Sequence, residues 1–137
     1  MKKLVWFLLT LALVLSACGA PAATEAPVVA AEPFRVAVVM PSATTDLAFG
    51  QSMYDALVRV QKEMGAENFE FVYSEGMFVV DDAAAAIRDY ATQGFDLIIA
   101  HGSQYGSSLQ EIAPDFPETS FAWGTTVDTF GLANVEL

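Results

Sequence analysis

Short apolar segments alternate with helical patterns through most of this 137-residue chain. Residues 34–40, 69–73, 96–100 and 120–123 are short runs rich in β-branched, aromatic and other apolar side chains. Such runs are typical of strands that are buried on both faces, as in parallel sheets. Since helical patterns separate them, the order predicts an α/β fold built on a doubly wound parallel sheet. A fifth strand is expected to begin within residues 133–137.

The segments between these strands have helical spacing. The first helix is expected from about Leu47, with its large apolar residues in one stripe. The stripe consists of Phe49, Met53, Leu57, Val60 and Met64. Gly65 is placed to end this helix. A second, alanine-rich helix is expected from Asp81-Asp82 to Gly94, because acidic residues suit a helix N-terminus. Its inward-facing residues are expected to be Ile87, Tyr90 and Ala91. A short third helix is expected over residues 107–112.

The first seventeen residues have the pattern of an export signal. Lys2 and Lys3 precede an apolar stretch, residues 4–15, that would span about 18 Å as a helix, less than a bilayer core of about 30 Å. The following Leu15-Ser16-Ala17-Cys18 matches the bacterial lipobox, in which the cysteine sulfur receives diacylglycerol. We therefore expect a lipoprotein signal peptide over residues 1–17 and lipid anchoring at Cys18, on the extracytoplasmic side of the cell membrane. The alternative is the signal peptide of a soluble exported protein, in which Cys18 follows small residues by chance.

Composition excludes several classes of protein. The chain carries 6 basic and 17 acidic residues, a net charge of −11, and removal of the two signal-peptide lysines makes it −13. A nucleic-acid partner is not expected, because nucleic-acid binding needs a basic surface. The single cysteine forms no intramolecular disulfide and no multi-cysteine zinc site. Residues 18–33 are rich in small residues and proline, which predicts a flexible tether.

Function is expected at the carboxyl ends of the strands, where doubly wound sheets bind ligands. The loop after the first strand has neither a glycine-rich turn nor a Walker lysine, so no dinucleotide site is expected. Its hydroxyl groups still allow a flavodoxin-like phosphate site. A hydrolytic surface lipoprotein is a further alternative, although His101 and Ser103 share one loop and form no nucleophile elbow. We expect no catalytic residue, no metal site and no cofactor.

Asp46 and Phe49 are the most informative residues of that first loop. A helix N-cap explains Asp46, and a core position explains Phe49. Equally, an aromatic ring beside a carboxylate suits a small polar ring ligand, which would stack on the ring while the carboxylate accepts its N–H or O–H groups. Tyr105 and Trp123 would add aromatic surface at the same edge, although Trp123 is also compatible with the core.

An ordered set of segments resembles the basic membrane lipoprotein family over residues 34 to about 135. The set comprises the lipobox at Cys18, Arg35-Val36-Ala37-Val38-Val39, Asp46-Leu47-Ala48-Phe49-Gly50-Gln51-Ser52, Ile87-Arg88-Asp89-Tyr90-Ala91, Gln93-Gly94-Phe95-Asp96-Leu97-Ile98-Ile99, His101-Gly102 with Tyr105-Gly106, and Ala113-Pro114-Asp115-Phe116-Pro117. The resemblance implies the N-terminal lobe of a type I periplasmic-binding-protein fold. It also implies a substrate-binding protein that serves an ABC permease, often for purine nucleosides.

By this resemblance, Phe49 corresponds to the family's stacking aromatic residue, and Asp46 corresponds to its first aspartate. The family's asparagine falls on Gly50, which has no side chain. The aspartate that often ends the fourth strand is replaced by Trp123-Gly124-Thr125, so the ligand is expected to be a nucleoside or another small polar molecule. The expected ligand-binding set is Ser42, Thr45, Asp46, Phe49, His101, Gly102, Tyr105, Trp123 and Gly124.

Members of that family close two lobes around the ligand, and the closed form docks on the permease. This sequence stops where the fifth strand of the first lobe would form. Residues 34–137 are therefore expected to be a partial N-terminal lobe of a truncated or incomplete chain. A ligand sensor or adhesin without a transport role is the remaining alternative.

Overall fold

The computed structural model describes residues 32–137, so the predicted signal peptide and nearly all of the predicted tether lie outside the described residues. Five parallel strands form one sheet: β1 Phe34–Val39, β2 Phe69–Ser74, β3 Leu97–Ala100, β4 Ser120–Trp123 and β5 Val135–Glu136. The helices between them are α1 Phe49–Met64, α2 Val80–Thr92 and α3 Gly106–Ile112. In this part of the chain no helix is both long and apolar enough to cross a membrane.

The strand order is β2-β1-β3-β4-β5, which confirms the predicted doubly wound sheet. The chain leaves β1 toward β2 on one side and then crosses to β3 on the other side. The carboxyl ends of β1 and β3 therefore flank the point where the winding direction changes, and ligands of such folds bind at this crevice.

Alternate residues of β1 enter two separate cores. Ala37 and Val39 join the larger core, which α2 and α3 cover and which includes Ile87, Ile98 and Phe121. Val36, Val38 and Met40 enter the smaller core, which α1 covers with Leu57. Because both faces of β1 are buried, its apolar run has no alternation, as the sequence predicted.

The predicted inward face of α2 is confirmed. Ile87 and Ala91 are buried, and Tyr90 is half-buried with its hydroxyl 2.8 Å from Ser74 Oγ. Glycines follow α1 and α2: Gly65 has φ +86° and Gly94 has φ +72°. Left-handed conformations of this kind are accessible to glycine at little cost, which explains why both helices end there.

The predicted core stripe of α1 is only partly correct. Leu57 is buried and Met53 is half-buried, whereas Phe49, Val60 and Met64 are exposed. The reason is that α1 packs mainly against β2, so only the middle of its apolar stripe meets the sheet. The helix also begins at Phe49 rather than Leu47, because Leu47 adopts a left-handed conformation with φ +60°.

Candidate functional site

Phe49 and His101 meet at the crevice between β1 and β3. Phe49 is the first residue of α1, and His101 directly follows β3. Their rings stack with centroids 3.8 Å apart and an angle of 12° between the planes. His101 Nε2 lies 3.2 Å from the carbonyl oxygen of Phe49, and the backbone N–H of His101 donates to Val39 O at 2.9 Å. Two residues of the predicted ligand-binding set, 52 positions apart along the chain, are therefore brought together, although the sequence did not predict that they pair.

The two rings differ in exposure. His101 is 8% exposed, whereas Phe49 keeps 37% of its surface exposed. Burial lowers the pKa of His101, and the Phe49 carbonyl and the charge of Asp46 oppose this only in part. The imidazole is therefore neutral at pH 7. Because a carbonyl oxygen only accepts hydrogen bonds, Nε2 carries the proton and donates to Phe49 O.

Asp46 caps the start of α1. Its carboxylate accepts hydrogen bonds from the backbone N–H groups of Ala48 at 2.9 Å, Gly50 at 2.9 Å and Gln51 at 3.1 Å. The nearby hydroxyl of Ser42 and these three N–H groups hold the pKa of Asp46 far below its usual range. The carboxylate is therefore ionised at physiological pH, and it already accepts hydrogen bonds from the helix N-terminus. A direct ligand contact of Asp46 stays a prediction.

The loop between β1 and α1 leaves no room for a side chain at position 50. A Cβ atom on Gly50 would lie 2.5 Å from Ala43 O and 2.8 Å from Ser42 Oγ. An asparagine at position 50, as in the family motif, is thus incompatible with this loop conformation. Ser42 Oγ is buried near the Asp46 carboxylate without a hydrogen bond of good geometry. The loop's other predicted site residue, Thr45, is exposed.

Tyr105 and Trp123 lie in the core rather than in the crevice. Tyr105 is fully buried, its hydroxyl donates to Met77 O at 2.7 Å, and burial raises its pKa to about 12. Trp123 is nearly buried, and its indole N–H donates to Gly102 O at 3.1 Å. In this structure both residues support the His101 loop from the inside, and their roles as ligand contacts stay predictions. Gly124 adjoins the imidazole: a Cβ atom there would lie 3.4 Å from His101 Nδ1.

Two supporting residues were missed by sequence reasoning. The carboxylate of Glu75, in the loop after β2, accepts the N–H of Thr44 at 2.6 Å and so ties two loops of the crevice together. This bond lowers the pKa of Glu75. Phe130 stacks on Trp123 with centroids 5.1 Å apart and the planes at 18°. Glu75 lies two residues beyond the end of the predicted strand 69–73, which was the available signal, whereas nothing in the sequence indicated the role of Phe130.

The crevice presents an aromatic ring with polar groups beside it. Neither ring nitrogen of His101 forms a hydrogen bond with Ser103. Within residues 32–137, no group of three or more His, Cys, Asp or Glu side chains is placed to hold a metal ion. A cavity of about 220 Å³ adjoins the N-terminus of α1, lined by Leu47, Ala48, Gln51, Ser52 and Asp55. A half-exposed aromatic ring with polar groups beside it suits a small, flat, polar ligand.

Comparisons with known proteins agree with the fold. A family model described as ABC transporter substrate-binding protein PnrA-like matches residues 34–129. The transcriptional activator protein med of Bacillus subtilis (strain 168) is 29% identical over 87 residues, which are 64% of this chain and 26% of that protein.

Two solved structures are similar as well. An ABC transporter system solute-binding protein from Conexibacter woesei DSM 14684 has a TM-score of 0.60 and 25% identity, covering 74% of this chain and 33% of that one. One from Aeropyrum pernix K1 has a TM-score of 0.66 and 22% identity, covering 75% of this chain and 27% of that one. The chain therefore spans a third or less of the length of each of these proteins.

Proposed function

Because this chain belongs to the Bmp family of PnrA-like ABC transporter substrate-binding proteins, we propose that it binds a small solute outside the cytoplasm and presents it to an ABC permease. The ligand is a nucleoside or a similar small polar molecule with a flat ring. Residues 34–137 form part of the N-terminal lobe, and residues 1–17 and 18–33 are signal peptide and tether. Ligand contacts hold two lobes closed, and the closed form docks on the permease.

The observation that carries this proposal is the position of Phe49. It lies at the crevice where the winding direction of the sheet changes, at the N-terminus of a helix, with one side on a buried imidazole and 37% of its surface free. A half-exposed aromatic ring at this point of a doubly wound sheet is suited to stacking with a heteroaromatic ligand. Asp46 and Thr45 lie in the adjoining loop and supply polar groups at the same edge.

Replacing Phe49 by alanine should weaken ligand binding by about tenfold to a hundredfold, because stacking of one base on an aromatic side chain contributes about 1–3 kcal/mol. The measurement is isothermal titration calorimetry of the full-length protein with guanosine, inosine, adenosine, cytidine and uridine. Phe49→Tyr keeps the ring and should bind with nearly unchanged Kd.

Phe78→Ala is the matched control, because Phe78 is a more exposed phenylalanine that lies in a neighbouring loop. It should leave Kd unchanged. Unchanged affinity in Phe49→Ala, with the variant folded, would contradict the proposed site. If none of the five nucleosides binds the wild-type protein, a nucleoside of this panel is ruled out as the ligand.

We also propose that the sulfur of Cys18 carries the lipid anchor, which the Leu15-Ser16-Ala17-Cys18 motif supports. In cells fed a radiolabelled fatty acid, the wild-type protein should incorporate label and fractionate with the membrane. Cys18→Ala should lose the label and either accumulate as the unprocessed precursor or be released as a soluble form. Because this is the only cysteine of the chain, label retained by Cys18→Ala would disprove the assignment.

A ligand sensor without a transport role is the second candidate. It is favoured by the similarity to a Bacillus subtilis protein that is named as a transcriptional activator. Permease and ATPase genes beside this gene, and loss of ligand uptake when it is deleted, would support transport. Uptake that is unaffected by the deletion, together with altered gene expression, would support the sensor.

A further inference from the structure

One side of the Phe49 ring packs on a group that is itself buried. His101 is more than nine-tenths buried, and its backbone N–H bonds Val39 O, which continues the β1–β3 ladder beyond the last strand residue. The imidazole also adjoins Gly124, where a Cβ atom would lie 3.4 Å from Nδ1. The imidazole thus stacks on the Phe49 ring and lies beside the backbone that follows β4.

Two contacts join His101 to Phe49. The rings stack almost in parallel at 3.8 Å, and the Nε2–H group donates to the Phe49 carbonyl oxygen at 3.2 Å. The hydrogen bond fixes the backbone at the first residue of α1, and the stack fixes the rotation of the side chain. An aromatic residue that is half-exposed at a helix start would otherwise sample several rotamers.

We propose that His101 is the positioning residue for the ligand platform: it holds the Phe49 ring in one orientation, so that a flat heteroaromatic solute stacks on the ring surface that His101 leaves free. This inference rests on the proposed solute-binding function. It restricts the ligand to rings that bind Phe49 from one side, because His101 occupies the other. Preorganising a side chain avoids the cost of ordering it on binding.

The test is a double-mutant cycle on the full-length protein with the tightest-binding nucleoside of the panel above. His101→Ala should weaken binding by about threefold to tenfold, the loss expected from ordering one free side chain. In the Phe49→Ala background the same change should have no further effect on Kd, because His101 acts through the ring of Phe49.

Two conservative variants separate positioning from a purely structural role. His101→Phe keeps a ring against Phe49 and should bind within about twofold of the wild type. His101→Asn keeps a hydrogen-bond donor but no ring, and should lose as much affinity as His101→Ala. Thermal unfolding of each variant identifies any that fail to fold, and the cycle is then carried out with His101→Asn.

A ligand-free measurement keeps the inference testable if the proposed function fails. In NMR spectra of the free protein, the Phe49 ring should be ordered in the wild type and in His101→Phe, and mobile in His101→Ala and His101→Asn. Equal ring order in all four proteins would overturn the inference, whether or not any nucleoside binds. So would an equal loss of affinity from His101→Ala with and without Phe49, because that result means a direct contact between His101 and ligand.

Discussion

Replacing Phe121 by alanine should lower the free energy of unfolding by about 3–5 kcal/mol. Phe121 lies in β4, is fully buried, and pairs in register with Ile98 of β3 and Val135 of β5. Removing its ring leaves a cavity in the larger core, between the sheet and the helices α2 and α3. Because domains of this size are stable by about 5–15 kcal/mol, much of the stability would disappear. Urea denaturation followed by circular dichroism measures the loss.

Phe78→Ala is the control for that experiment, since it removes the same atoms from a side chain that is 77% exposed. It should change the free energy of unfolding by less than about 0.5 kcal/mol. Similar losses in the two variants would mean that β4 does not lie in the core as described.

The sheet could be predicted because its strands are buried on both faces. The run from Val36 to Val39 has no polar residue, and the run from Leu97 to Ala100 is equally apolar. Each run can therefore be recognised as a buried strand from its own residues alone. The alternation with helices then determined the parallel connections. The inward face of α2 followed from the same local periodicity, since Ile87 and Ala91 lie one turn apart.

How much of the apolar side of α1 packs against the sheet could not be predicted in the same way. Periodicity shows that a helix has an apolar side, but it does not show how much of that side another element covers. Leu57 meets β1 and β2, while Val60 and Met64 extend beyond the contact and stay exposed. The start of α1 was also missed, because the left-handed conformation of Leu47 depends on the Asp46 carboxylate binding the N–H groups that follow it.

For the candidate site, the sequence predicted at which edge of the sheet the residues lie, but not how deeply each side chain is buried. Phe49, Tyr105 and Trp123 were all predicted at or beside that edge, and the sequence left open whether Phe49 and Trp123 lie in the core. The structure leaves Phe49 partly exposed and places the other two in the core, each with its polar atom bonded to a backbone carbonyl. The stack joins Phe49 at the start of α1 to His101 in the loop after β3, and no local pattern encodes such a contact.

Replacing Gly106 by alanine should destabilise the domain by about 3 kcal/mol, even though alanine is the better helix former. Gly106 is the first residue of α3, and a Cβ atom there would overlap the six-membered ring of Trp123. The indole cannot move aside freely, because Phe130 stacks on it at 5.1 Å and its N–H bonds Gly102 O. Urea denaturation measures the loss, and a change in Trp123 fluorescence reports the displaced ring.

Ser107→Ala is the matched control, since the neighbouring residue of the same helix is exposed and the change should be nearly neutral. Rescue by a second mutation identifies the cause: Trp123→Phe makes room for the new methyl group, so Gly106→Ala should cost much less in that background. Because Gly102 follows His101, displacement of the Trp123 indole should also disturb the imidazole that backs Phe49. Gly106→Ala should therefore weaken ligand binding although residue 106 lies outside the crevice. Wild-type stability in Gly106→Ala would show that the close approach between α3 and Trp123 is wrong.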